Sequence, residues 1–188
     1  RQPEAELQPL MARARVSSSG GTIDAALLGD AHLGATVSLP IAPVGETAWI
    51  RFDFEQAETV RALTYVSTDH GFLEAFTGGA PGPELQASDD GEHWRAVASV
   101  PGDGAIEHTL GFAPIAARHF RAVFETRPAP SSGMGDFDFG LLGMPAPKPA
   151  SEYHIAELRL ESGARVRRFE EKAGFGNLAD LTAEPTPE

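Results

Sequence analysis

Fifteen prolines and twenty glycines are spread through the 188 residues so evenly that one window alone, Arg165 to Ala173, stays open to a helix of any length. In that window Val166, Phe169 and Ala173 share a helical stripe, and Gly174 stands at its end. Elsewhere the chain must bury its apolar side chains from strands, and its segments alternate accordingly. Trp49 to Phe54 sets Ile50, Phe52 and Phe54 on one face and Trp49, Arg51 and Asp53 on the other. Thr59 to Ser67 is dense in β-branched and aromatic residues. Pro83 to Pro101 reads as two short strands joined by the acidic turn Asp89-Asp90-Gly91. Ala105 to Phe112 follows, with Ile106, His108, Leu110 and Phe112 on one side, and then Arg118 to Glu125, with Phe120, Ala122 and Phe124 together. Tyr153 to Glu161 closes the set. Short strands separated by turn signals specify an all-β fold, an antiparallel β-sandwich with a short C-terminal helix. Phe52 and Phe120 are expected in its core, with Trp94 anchoring the hairpin against them.

A chain of this length buries enough surface to hold a core without metal or disulfide. Cysteine is absent, so there is no disulfide framework and no thiolate nucleophile, and the redox compartment stays undetermined. The net charge of −12 and the scattered basic residues argue against nucleic acid and against an anionic membrane surface. No apolar run approaches the length of a membrane span.

Two stretches interrupt the strands. Residues 68–82 place Phe72, Leu73 and Phe76 in a loop, and residues 126–152 form a longer one that carries Phe137, Phe139, Leu141, Leu142 and Met144. Loops of that length without periodicity are usually functional or disordered, and these are too apolar for a free linker. They combine stacking surfaces with hydrogen-bonding groups, so His70, Phe72, Phe76, Asp136, Phe137 and Phe139 are the candidate carbohydrate-binding residues, with docking onto a neighbouring domain as the competing use of the same phenylalanines. No hydrolase, phosphate-loop or EF-hand motif occurs, and the six histidines fall singly in separate elements. Asp89 and Asp90 read as turn residues rather than as a glycosidase pair, which needs carboxylates facing each other across a cleft. Catalytic residues: none.

The word Ser88-Asp89-Asp90-Gly91-Glu92-His93-Trp94 resembles the SxDGxxW hairpin of discoidin or galactose-binding-like sandwiches, a group that includes many carbohydrate-binding modules. Trp49 to Val66 is similar to the strand pair that opens the core in that group, Arg118 to Glu125 to its R-Y/F-x-R-L-x-F strand, and Tyr153 to Glu161 to its last strand. The resemblance implies a galactose-binding-like jelly roll. It also implies a structural Ca²⁺ held by carboxylates and carbonyls, with Asp30 and Glu157 at the matching positions. The early loop departs from the pattern, reading Leu28-Gly29-Asp30 where D-G-D would stand, so one ligand is missing.

The run Arg165 to Phe175, RVRRFEEKAGF, resembles the segment by which a β-sandwich insertion returns to the catalytic chain in bacterial α-L-rhamnosidases of glycoside hydrolase family 106. Residues 1–16, with two prolines and weak periodicity, read as a lead-in ending in a first strand, and 17–161 as the sandwich; the resemblance implies 162–188 as a linker and helix leading back to a catalytic barrel domain elsewhere in the polypeptide. The whole enzyme would remove α-L-rhamnose by an inverting, two-carboxylate mechanism assisted by Ca²⁺. This stretch would be its non-catalytic, carbohydrate-binding-module-like accessory domain, periplasmic or extracellular, with a rhamnose-containing glycan and the barrel as partners. The alternatives are a stand-alone secreted lectin-like discoidin module and a purely structural interdomain sandwich with no ligand.

Overall fold

The computed structural model describes residues 10–30, 32–68, 82–102, 105–126 and 150–166. After a 3-10 turn at Leu10–Arg13 come β1 (Arg15–Ser18), β2 (Val37–Pro40), β3 (Thr47–Ser67), β4 (Glu84–Ser88), β5 (Arg95–Ser99), β6 (Glu107–Glu125) and β7 (Glu152–Glu161). All pairings are antiparallel, in the order β2-β7-β3-β6-β4-β5 with β1 on β3.

Two of these strands are each the fusion of two expected ones. Trp49–Phe54 and Thr59–Ser67 run together as β3, and Ala105–Phe112 and Arg118–Glu125 as β6. The register slips between Asp53 and Glu58, where Glu55, Gln56 and Ala57 stand exposed. A slip of this kind bends a strand without ending it. The first half of β3 pairs with β1 and with the second half of β6, which in turn pairs with β4. The second half of β3 lies between β7 and the first half of β6.

The bend folds the ribbon over. Seventeen residues separate Ala48 from Tyr65, roughly 55 Å along a straight strand. Yet Phe124, the partner of Ala48, has its ring 6.1 Å from that of Tyr65 and 4.9 Å from that of Tyr153 on β7. Two layers therefore face each other. We call them sheet one (β1, β3 first half, β6 second half, β4, β5) and sheet two (β6 first half, β3 second half, β7, β2). Between them lie Ile50, Phe52, Phe54, Leu85, Phe120, Ala122 and Phe124 from the first, and Leu39, Leu63, Leu110, Ile155, Leu158 and Leu160 from the second. Phe52 and Phe120 are fully buried, as expected, and Phe54 meets Phe120 edge-on at 6.1 Å. Ile106 instead stands outside β6 and is exposed.

Residues 25–28 form a turn, closed by Leu28 N–H donating to the Ala25 carbonyl. Leu10 is buried, and β1 starts at Arg15 inside the expected lead-in. The expected helix at Arg165–Ala173 lies outside the described residues except for Arg165 and Val166, which are irregular.

Candidate functional site

The outward residues of sheet one form a polar cluster whose register comes from strand pairing. Arg51 on β3 lies opposite Arg121 on β6, which lies opposite Gln86 on β4. One step along, Asp53 lies opposite His119, and His119 opposite Ser88. Asp53 Oδ1 accepts a hydrogen bond from Arg51 Nε at 2.7 Å and sits 2.5 Å from His119 Nδ1, so that nitrogen carries the hydrogen. Arg121 Nε donates to Gln86 Oε1 at 2.8 Å, and Gln86 Nε2 donates to Glu84 Oε1 at 2.7 Å. The Trp94 ring lies 4.1 Å from the Arg121 guanidinium and 5.3 Å from that of Arg51, so one indole serves two cations. Trp94 thus anchors the hairpin on the face opposite Phe52 and Phe120, not against them. The reason is parity: Arg51 and Arg121 alternate with the core phenylalanines and point the other way.

The β4–β5 turn closes over this cluster. Asp90 Oδ1 accepts from the backbone N–H groups of Glu92 and His93 at 2.8 Å each, and Ser88 Oγ donates to it at 2.9 Å. The His93 backbone bond above all, then the His93 side chain, the Glu92 N–H and the Ser88 hydroxyl, holds the Asp90 carboxyl well below its ordinary range. Gly91 has φ +80°, and a Cβ there would come within 2.7 Å of Arg51 Nη2. Only glycine meets both demands. Burial, and after it the charge of Arg51, pulls the Arg121 pKa down from its ordinary value.

The outward residues of sheet two are different. Thr64 sits between Thr109 and Arg159, all facing a cleft whose rim includes Glu161, Arg165 and Val166. Thr64, Glu157 and Glu161 are nearly fully buried. Arg159 bridges Glu157 (Nη1 to Oε1, 2.7 Å) and Glu161 (Nε to Oε1, 3.0 Å), and Arg165 pairs with Glu161 from the far side. The early loop that carries Asp30 is tied to β7 beside Glu157, where Leu158 N–H donates to the Leu28 carbonyl at 3.0 Å. Burial raises the Glu157 pKa; the Arg159 charge opposes this, while Glu161 and Asp30 add to it. Glu157 Oε1 is buried and makes no aligned hydrogen bond. That oxygen already has Arg159 Nη1 at 2.7 Å, and the described residues hold no group of three ligating side chains, so the described side chains alone do not complete a hard-cation site. Further ligands would have to be carbonyls or water.

The six loop residues expected to touch sugar, His70, Phe72, Phe76, Asp136, Phe137 and Phe139, lie outside the described residues. His108 is buried in β6, and His154 is part exposed on β7. His119 has a carboxylate partner that spacing did not reveal, because Asp53 is 66 residues away and reaches it only through the β3–β6 register.

No family model matches the chain, and no curated protein matches it. Among solved structures it is similar to a rhamnosidase from Novosphingobium sp. PP1Y, at 23% identity and TM-score 0.67, over 94% of this chain and 14% of that one. CpGH89CBM32-5 from Clostridium perfringens, solved in complex with GalNAc-β-1,3-galactose, is similar at 18% identity and TM-score 0.50, over 80% of this chain and 96% of that one. Chitosan-binding module 1 from a chitosanase/glucanase of Paenibacillus sp. IK-5 is similar at 13% identity and TM-score 0.51, over 79% and 95%. At such identities the likeness shows the fold, a galactose-binding-like β-sandwich. The chain spans about a seventh of the rhamnosidase's length.

Proposed function

We propose that this chain is a non-catalytic, carbohydrate-binding accessory domain of a glycoside hydrolase, an α-L-rhamnosidase acting on rhamnosylated glycans or glycosides outside the cytoplasm. One observation carries the reading: nearly the whole chain overlays a short stretch of a rhamnosidase, while others among its neighbours are carbohydrate-binding modules of similar size, one of them solved with a sugar. The described acidic groups of sheet one support a binding role over a catalytic one. Asp53 is held by Arg51 and His119, and Asp90 by its own turn, so neither is poised as an acid or base facing a second carboxylate. The catalytic groups would then belong to a barrel domain of the same polypeptide. The aromatic and acidic residues of the two long loops, His70, Phe72, Phe76, Asp136, Phe137 and Phe139, remain our candidates for contact with a neutral sugar.

Asp30 and Glu157 would hold a Ca²⁺ ion, which when bound would compensate the buried Glu157 charge. Their part is structural, pinning the early loop to β7. Addition of Ca²⁺ to the chelated protein should raise the melting temperature, and Glu157→Gln should remove that response.

Calorimetry with L-rhamnose and rhamnosyl oligosaccharides tests the proposal. Millimolar-range binding without turnover of an aryl α-L-rhamnoside is expected. A folded chain that binds no saccharide at that concentration would reduce the domain to an interdomain spacer.

A further inference from the structure

The two stacked arginines of sheet one do not share one fate. Arg51 has a carboxylate, Asp53, at 2.7 Å. Arg121 has an amide oxygen, an indole and the like charge of Arg51 as its neighbours, and among the described residues no carboxylate lies within ion-pair distance of it. The acidic groups nearby are engaged elsewhere: Asp53 by Arg51 and His119, Asp90 by its turn, Asp89 by Arg95, and Glu84 by the Gln86 amide. Arg121 is thus a part-buried guanidinium without an anion in a chain of net charge −12, with its Nε tied down and its central carbon 4.1 Å from the centre of an indole ring.

We propose that the outer face of sheet one, centred on Arg121, binds the carboxylate of a uronic acid residue in an acidic glycan. This rests on the carbohydrate-binding reading above and names the kind of sugar for a face which that reading leaves unassigned. A guanidinium is planar, and its fork of N–H groups matches the two oxygens of a carboxylate. Here Gln86 and Trp94 fix that fork in place before a ligand arrives, so little side-chain entropy is lost on binding. Desolvation by the turn and the sheet strengthens an anion's attraction to it, and Arg51 adds a second positive charge one strand away. Glu84 and Gln86 alongside offer an acceptor and an amide to ring hydroxyls.

The test is calorimetric titration of the full chain with oligogalacturonate and with its methyl-esterified form, which keeps the ring and removes the charge. The acid form should bind at least tenfold more tightly and weaken with rising salt. Arg121→Gln should lose that preference, Arg121→Lys should keep part of it, and Arg95→Gln, on the exposed arginine paired with Asp89, should behave as wild type. Should Arg121→Gln fail to fold, the Nε–H resonance of Arg121 in the wild-type chain supplies the readout, and it should move on adding the acid form. Equal binding of acid and ester, an unmoved Arg121 resonance, or equal competition by plain sulfate would overturn the proposal. Binding of neutral rhamnosides without any uronate would sink it alone and leave the carbohydrate-binding reading standing, whereas failure of every saccharide would remove both.

Discussion

The two outer faces of the sandwich are built from the same two strands, yet one is open and the other is closed. On sheet one the outward side chains of Arg51 and Asp53 keep 28% of their surface, and the cluster is roofed in part by a turn. On sheet two the Arg159 side chain keeps 29%, but the carboxylates are closed off, Glu157 at 6% and Glu161 at 10%. Alternation along β3 and β6 decides which residues point outward, and it does so for both. What is laid over the outward side decides whether they meet water. On sheet two the chain returns past β7 and sets Arg165 on Glu161, so the buried carboxylates need Arg159 between them to be tolerable. On sheet one the charges are only partly paired, and Arg121 is left over.

The core that both faces share should dominate stability. Phe120→Ala empties a fully buried site and should cost about 3–5 kcal/mol in urea unfolding, lowering both faces together. If the tryptophan signal and the far-UV signal then melted separately, the layers would not be one cooperative unit and the comparison would fail.

A change confined to the open face comes next. Gly91→Ala forces a side chain into a left-handed conformation, worth about 1–2 kcal/mol, and also drives its Cβ toward Arg51. The melting temperature should fall and the Trp94 fluorescence should shift, with Trp94→Phe as the subtraction control. A Gly91→Ala protein with unchanged Trp94 emission would show that the turn does not press on the arginine–indole stack.

Much of this contrast could be read in the sequence, and the rest could not, for reasons of range. Ile50, Phe52 and Phe54 declare their face by period-2 alternation, and Asp89-Asp90-Gly91 declares a turn by local chemistry. Both signals lie within a few residues. The fusion of strand pairs into β3 and β6 was hidden because Glu55 to Ala57 and Ala113 to Ala116 look like loops; the pairings on either side of the bend, Asp53 with His119 and Glu58 with Ala117, carry the strands through it. The Arg51–Asp53–His119–Arg121–Trp94 cluster was hidden more deeply, since three separate stretches meet there through register alone. Alternation did assign Arg51 and Asp53 to the face opposite the core. It could not say that His119 and Arg121 stand beside them.

The closed face offers a test of opposite sign. Burial raises the Glu157 pKa, so the folded chain holds that proton more tightly than the unfolded one. Its contribution is therefore fully present below the ordinary glutamate value of 4.5 and is lost as pH rises through the raised value. In chelator, Glu157→Gln should flatten this part of the pH profile and leave the protein more stable than wild type near neutrality, with Arg159 still held by Glu161. A Gln variant less stable than wild type at neutral pH would mean that the Arg159 pair outweighs the cost of burying the charge.

The smallest expected effect lies back on the open face, at the rim of the turn. The Asp90 side chain is about half exposed, and its pKa is lowered from 3.8 by hydrogen bonds rather than by burial. A lowered carboxylate stabilises the fold above its unfolded value and loses that contribution as pH falls through the folded one. Asp90→Asn keeps one oxygen for the Glu92 and His93 N–H groups but gives up the charge and the 2.7 Å contact with the His93 ring. The gap in melting temperature between wild type and Asp90→Asn should accordingly be constant and small from neutrality down to about pH 4, then narrow as the wild-type carboxylate takes up its proton. Its insensitivity to chelator or Ca²⁺ would separate this turn from the carboxylates of sheet two. A gap that stayed the same from neutrality to well below pH 4 would show that the charge of Asp90 has no part in closing the open face.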